Sequence, residues 1–218
     1  MADGDFRLVV GPNGAGKTTM LRSIFGIVRP TAGRILVGGN DVTHASPREL
    51  LDHGIAYVPQ EPSIFPHLSV ADNLEMGLFQ TGIRGKAAED AIRQVFERFE
   101  NLARRRDVAA RTLSGGERRL LELARALMIK PRMLLLDEPS LGLSPIMMDR
   151  ILHEIVAINN DGVTVLLIEQ RVKAVAHAAK SISILRLGRI TKNGTAEQAQ
   201  DDRWLANALY DEGLEPAA

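Results

Sequence analysis

Residues 10–19 read VGPNGAGKTT and residues 133–138 read MLLLDE. The first stretch carries the spacing G-x-x-x-x-G-K-[ST], with Gly11, Gly16, Lys17 and Thr18 in its fixed places. Glycines in such a loop let successive N–H groups turn inward around phosphate oxygens. Lys17 adds a point charge at the β and γ phosphates, and the Thr18 hydroxyl can ligate Mg²⁺. Gly11, Pro12, Asn13, Gly14, Ala15, Gly16, Lys17, Thr18 and Thr19 together form the candidate cradle. The chemistry this implies is binding of a nucleoside triphosphate.

In MLLLDE an apolar strand delivers acids at its carboxyl end, where ligands of parallel sheets bind. Asp137 suits a metal ion, held directly or through water. Glu138 suits the γ-phosphate side, orienting water or taking its proton. Alone, an apolar run ending in two acids reads equally well as a plain strand terminus. A phosphate loop in the same chain favours the functional reading.

A third stretch, LSGGE (113–117), opens a helix of 117–129. Ser114, Gly115 and Gly116 offer a hydroxyl and bare N–H groups at the positive end of a helix dipole, yet no lysine follows. Leu120, Leu121, Ala124, Leu127 and Met128 make one apolar stripe, with Arg118, Glu122 and Arg125 on the other face. Pro131 stops this helix just before the acidic strand. Half a phosphate cradle is one reading, and a glycine helix cap is the other.

These groups need a scaffold. Short apolar runs read as strands: FRLVV (6–10), RILVG (34–38), IAYV (55–58), MLLLD (133–137), VTVLLI (163–168) and SISILRL (181–187). Helical patterns lie between them: KTTMLRSIFGIV, ADNLEMGLF, AAEDAIRQVFERFENL, ERRLLELARALM, PIMMDRILHEIVAINN and VKAVAHAAK. Strands apolar on both faces, alternating with helices, imply an α/β fold with a parallel sheet covered on both sides. Residues 69–110 lack a convincing strand and read as an inserted helical subdomain. One domain of 1–218 is expected, its α/β core formed by 1–68 and 111–218. The basic run Arg104–Arg106 reads as a solvated helix end. In the final helix, DRWLANALY, Trp204 and Tyr210 read as packing residues.

Lys+Arg and Asp+Glu balance at 27 each, so no net field draws the chain to nucleic acid. Cysteine is absent, which excludes thiolate metal sites and cysteine nucleophiles. His44, His53, His67, His153 and His177 show no metal-ligand spacing and read as surface or packing residues. The longest apolar runs fall far below the roughly 20 residues that span a bilayer. MADGDF lacks the regions of a signal peptide, so a soluble cytoplasmic chain is expected.

The order of phosphate loop, helical insert, LSGGE and MLLLDE resembles the ATP-binding cassette ATPases, whose fold is that of P-loop NTPases. Their signature motif usually reads LSGGQ. The resemblance implies that two cassettes pack head to tail, with Ser114, Gly115 and Gly116 of one covering the γ-phosphate in the loop of the other. Glu117 replaces the usual glutamine and is expected to point away from phosphate. Gln60, after IAYV, matches the family's glutamine loop and would contact metal and attacking water. SIFPHL (63–68) resembles the surface that receives a helix of a membrane subunit; for Phe65, packing within the helical subdomain stays open beside that role. IFPHLSVADNLEMG, DEPSLGLSP, LLIEQ and the tail ALYDEG are similar to the ATPases of branched-chain amino-acid importers, with urea and amide importers sharing much of the wording. The implied setting is the cytoplasmic face of the inner membrane. The implied partners are a second ATPase, permease subunits and, indirectly, a solute-binding protein, with ATP and Mg²⁺ as cofactors.

Three departures bear on activity. Family members carry an earlier β-segment with an aromatic residue against adenine, and this sequence starts about one strand before the loop. Either the start differs from the natural one or adenine binds with less stacking. RILVG is then expected to lack partners and expose a sheet edge, with weak nucleotide affinity or aggregation following. Gln170 stands where the family usually has a histidine at the γ-phosphate; it can hydrogen-bond but not become cationic. Ser144 stands where an aspartate is usual. Slow hydrolysis dependent on Glu138 is expected; the alternative is a non-hydrolysing or non-transport nucleotide clamp.

Overall fold

A computed structural model of the chain describes residues 1–176 and 178–210. His177, the end of the ALYDEG segment and the side chain of Tyr210 lie outside the described residues. The chain opens on β1 (Phe6–Val10) and α1 (Lys17–Ile24), then makes a small hairpin of β2 (Leu36–Val37) and β3 (Asn40–Asp41). It continues through α2 (Pro47–Asp52) to β4 (Ile55–Val58), followed by α3 (Val70–Gly77), α4 (Lys86–Arg98) and α5 (Glu100–Ala103). Next come α6 (Gly115–Leu127), β5 (Met133–Asp137), α7 (Pro145–Asn160), β6 (Thr164–Ile168) and α8 (Val172–Ala176). A hairpin of β7 (Ser181–Arg186) and β8 (Arg189–Gly194) leads to α9 (Ala196–Gln200) and α10 (Asp202–Tyr210).

Six strands form one sheet in the order β4-β5-β6-β1-β7-β8. Every neighbouring pair is parallel except β7 and β8. Period-two alternation splits each strand between two cores. Phe6, Leu8, Ala56, Val58, Leu134, Leu136, Val165 and Leu167 face a core shared with Leu120 and Leu121 of α6 and Ile151 and Ile155 of α7. Val9, Ile55, Leu135, Leu166 and Ile168 face the other, shared with Leu21 of α1 and Leu50 of α2. Asp137 continues the second set, so its side chain points to the α1 side. The carboxyl ends of β4, β5, β6 and β1 lie side by side, which aligns Gln60, Asp137 with Glu138, Gln170, and the phosphate loop along one rim.

The structure departs from expectation at several elements. RILVG is not a strand of the parallel sheet: only Leu36–Val37 is extended, paired antiparallel with Asn40–Asp41. Gly38 and Gly39 at φ +55° and +82° close that hairpin, the left-handed pair that a two-residue turn demands. Leu36 is 58% exposed. The strand β8, RITKNG, escaped the apolar pattern because it is an almost wholly exposed edge strand. The helix expected over AAEDAIRQVFERFENL breaks at Phe99, whose φ and ψ of −112° and 65° leave the helical region and separate α4 from α5. Glu122, opposite the apolar stripe of α6, is buried together with Arg119.

Candidate active site

The loop after β1 ends at Gly16, whose φ of +99° is open to glycine and strained for other residues. α1 then starts at Lys17 with no side chain capping it. By contrast α2, α3, α6 and α9 each begin with a reciprocal capping box. The first N–H groups of α1 are therefore left to a ligand, at the helix end that favours anions. The Lys17 ammonium folds back over the loop, donating to the carbonyls of Gly11 at 2.9 Å and Pro12 at 3.1 Å. Pro12, Asn13, Gly14 and Thr19 are exposed, while Ala15 is buried. The β7–β8 turn braces the loop from outside, with the Gly188 N–H donating to Ala15 O at 2.8 Å.

Asp137 is fully buried and hydrogen-bonded on both oxygens. The Thr18 hydroxyl meets Oδ1 at 3.2 Å and the Tyr57 hydroxyl donates to Oδ2 at 3.2 Å. Burial pushes the Asp137 carboxyl above its ordinary range; the bonds from Thr18 and Tyr57 oppose that, and the neighbouring Glu138 adds to it. Burial beside Asp137 likewise pushes the Tyr57 phenol up to about 12, so it stays a proton donor. Mg²⁺ prefers hard oxygen ligands, and the adjoining Thr18 hydroxyl and Asp137 carboxylate fit that preference.

Glu138 leaves the strand with φ +48°, a left-handed backbone that a non-glycine residue rarely adopts. Its N–H donates to Ile168 O at 2.9 Å, fastening the end of β5 to β6. This turn brings one carboxylate oxygen to 3.8 Å from Lys17 Nζ. The other accepts from Gln170 Nε2 at 2.8 Å. Gln170 also lies 3.4 Å from Asn13 Oδ1. Behind it the buried Glu169 accepts from the Ser140 N–H at 2.9 Å, and burial pushes its carboxyl up. A cavity of about 300 Å³ opens beside the loop, lined in part by Pro12, Asn13, Glu169 and Gln170.

Lys17, Thr18, Asp137, Glu138, Gln170 and Asn13 thus meet in one place. Gln60 sits on the same rim with a half-buried side chain that makes no hydrogen bond to Thr18, Asp137 or Glu138. Ser114, Gly115 and Gly116 are not joined to residues 11–19 by any hydrogen bond among the described residues. The Ser114 hydroxyl caps α6 by accepting from the Glu117 N–H at 3.2 Å, and Glu117 accepts from the Ser114 N–H at 2.8 Å. Glu117 is therefore turned back onto its own helix start, with Arg105 3.5 Å away. Ser114 and Gly115 are exposed. Phe65 is 41% exposed, with the Arg125 guanidinium 5.4 Å from its ring centre and its backbone bonded to the Asn73 side chain of α3. Trp204 packs, lying so close that a Cβ on Gly194 would fall 2.4 Å from its ring. Among the described residues no group of three or more His, Asp or Glu could hold a metal, and no helix is long and apolar enough to cross a membrane.

Sequence reasoning missed Tyr57 and Glu169. Tyr57 was visible as the one polar tip on the α1-facing positions of IAYV, since it alternates with Ala56 and Val58. Glu169 stands directly before Gln170 at a strand end, where a buried acid needs a partner.

The profile of the ABC transporter family matches residues 1–141. The chain belongs to that family and is an ATPase subunit of a transporter. It is 37% identical over 191 residues to the probable branched-chain amino acid transport ATP-binding protein LivF of Archaeoglobus fulgidus, covering 87% of this chain and 80% of that one. The lipopolysaccharide export system ATP-binding protein LptB of Haemophilus influenzae matches equally well, 36% identical over 195 residues, with 89% and 80% covered. A solved nucleotide-free ATP-binding cassette from an ABC transporter superposes with a TM-score of 0.81 at 29% identity, covering 97% of this ABC ATPase and 86% of that chain. An ATP-binding cassette of an ABC transporter solved in its ADP conformation gives 0.80, also at 29%, covering 96% and 85%.

Proposed function

We propose that this ABC ATPase powers an importer of branched-chain amino acids or a related small polar solute. The residues Gly11 to Thr19 seat the triphosphate, with Lys17 released from its carbonyl partners to the β and γ phosphates. Thr18, Asp137 and Gln60 would hold Mg²⁺, which supplies positive charge against the phosphates when bound. Water attacks the γ-phosphorus, its oxygen forming the new bond as the bond to the ADP oxygen breaks. Glu138 takes the proton of that water, and Gln170 fixes the carboxylate that receives it. The observation that carries this is the Glu138 carboxylate held between Lys17 at 3.8 Å and Gln170 at 2.8 Å.

Ser114, Gly115 and Gly116 complete the site of a second ATPase, identical or a sister chain, in a head-to-tail dimer. Residues 69–110 act as a helical subdomain whose Phe65-flanked surface meets a permease on the cytoplasmic side of the membrane, where the ATPase is peripheral. A solute-binding protein delivers the cargo on the other side.

Purified chain is expected to release phosphate from Mg²⁺·ATP, with Lys17→Ala and Glu138→Gln abolishing turnover and Glu138→Gln accumulating as an ATP-bound dimer. Wild-type turnover by Glu138→Gln would overturn the catalytic assignment. The equal match to lipopolysaccharide export ATPases favours one second reading, that the cargo is an exported lipid. Uptake of labelled leucine by cells lacking and regaining this chain tests the amino-acid cargo: unchanged uptake rejects import of branched-chain amino acids.

A further inference from the structure

The buried ion pair inside α6 is unused by the chemistry above. Arg119 and Glu122 are 8% and 3% exposed and meet at 2.7 Å. Burying two charges this way costs desolvation that mutual attraction alone rarely repays, unless further hydrogen bonds complete both groups. Here the further partners all belong to one distant segment. Arg119 Nη1 donates to Pro59 O at 2.8 Å, and Nη2 donates to Gln60 O at 2.8 Å. Glu122 Oε1 accepts from the Ser63 N–H at 2.5 Å. One turn on, Arg125 donates to Ser63 Oγ at 2.7 Å. Residues 59–63 have left β4 and lie outside any helix or strand, so these bonds are what fixes their path.

We propose that Arg119 and Glu122 are positioning residues that lock the Gln60 segment to the helix beginning at Ser114. It rests on the reading of Gln60 as a contact to both the metal and the attacking water. A guanidinium reaching two successive carbonyls fixes both the position and the rotation of the peptide that carries the Gln60 side chain. Gln60 and Ser114 therefore move as one rigid piece, and Gln60 meets the attacking water only when α6 is seated. Neither residue touches nucleotide.

The test is a turnover cycle on the full chain with Mg²⁺·ATP, using Gln60→Ala, the paired variant Arg119→Gln with Glu122→Gln, and all three together. Replacing both charges at once leaves neither member of the pair buried against a missing partner. A displaced Gln60 should cost about ten- to a hundredfold in kcat, since misplacement of roughly 1 Å can have that effect. KM for ATP should stay within about twofold, because the phosphate loop is untouched. The triple variant should be no slower than the slower of its parents, since all act through one side chain. If the paired variant does not fold, Arg119→Lys serves instead: it keeps the charge beside Glu122 but not the two-carbonyl fork, and the same pattern is expected. Wild-type kcat in the paired variant, or losses that multiply in the triple, overturns the inference while leaving Gln60 in its role. Wild-type kcat in Gln60→Ala overturns the role of Gln60, and the inference with it.

Discussion

Gln170 Nε2 donates to Glu138 Oε2 at 2.8 Å, so the carboxylate that faces Lys17 on one oxygen is gripped by an amide on the other. The donor is neutral at every working pH, and it orients Glu138 without competing for the proton that the proposed mechanism assigns to Glu138. Gln170→Ala should therefore lower kcat by about tenfold, far short of the loss of turnover expected when the base itself is removed in Glu138→Gln. Gln170→His would place an ionisable donor there, with its charge changing between about pH 5 and 8. Its pH–rate profile should gain a step in that range that the wild type lacks. Identical profiles would break the assignment.

Gly115 and Gly116 separate folding from function within α6. A Cβ on Gly116 would fall 2.4 Å from Met147 Cε and 2.8 Å from its Cγ, whereas a Cβ on Gly115 meets nothing within 4 Å. Gly116→Ala should destabilise the chain by about 1–3 kcal/mol through overpacking, as read from denaturant midpoints. Gly115→Ala should leave the fold intact to within about 1 kcal/mol, the cost class of a helix-start substitution. Turnover should nevertheless fall in Gly115→Ala, because in the proposed head-to-tail dimer this helix start faces the γ-phosphate held by the partner. Full turnover in that variant would remove the shared site.

Most of the rim was legible because its residues sit at fixed offsets from strands whose apolar runs are unmistakable. VGPNGAGKTT and MLLLDE announce both their chemistry and their position at strand ends. Period two alone puts Asp137 on the α1 side with Leu135. Other features had no such mark. The left-handed backbone of Glu138 follows from its place between β5 and β6, not from its own type, since glutamate rarely adopts it. RITKNG pairs through backbone groups at an exposed edge, where no apolar alternation is needed. RILVG looked like a sheet strand because local apolarity says nothing about which partner a strand finds. The burial of Arg119 and Glu122 had no mark either, because it depends on the distant segment 59–63 that packs across from them.

Tyr57 gives a direct test of how Asp137 is held. Its hydroxyl is the only donor on Asp137 Oδ2 among the described residues, and its ring leans on Phe25 with centroids 5.3 Å apart. Tyr57→Phe keeps the ring and removes the donor, leaving a buried carboxylate oxygen without a partner. That should cost about 1–3 kcal/mol of stability. Tyr57→Phe with Asp137→Asn should cost less than the sum of the two single changes, since the charge that needed the donor is gone. Additive losses in denaturant unfolding would show the hydroxyl acting elsewhere.

Glu169 sets a pH dependence of stability whose sign is fixed by burial. Its carboxyl is 2% exposed, and burial raises it above the ordinary value more than the bonds from Ser140 and the Gln170 backbone lower it. The folded chain thus holds this proton more tightly than the unfolded chain does. The stability Glu169 contributes is complete below its unfolded value, about 4.3, and is lost as pH rises through the raised folded value. Glu169→Gln keeps an oxygen for the Ser140 N–H and has no proton to lose. The melting temperature of Glu169→Gln minus that of the wild type should therefore increase as pH is taken from about 4 to about 8. A difference that stays level, or shrinks, across that range would mean that the Ser140 bond and not burial governs this carboxyl.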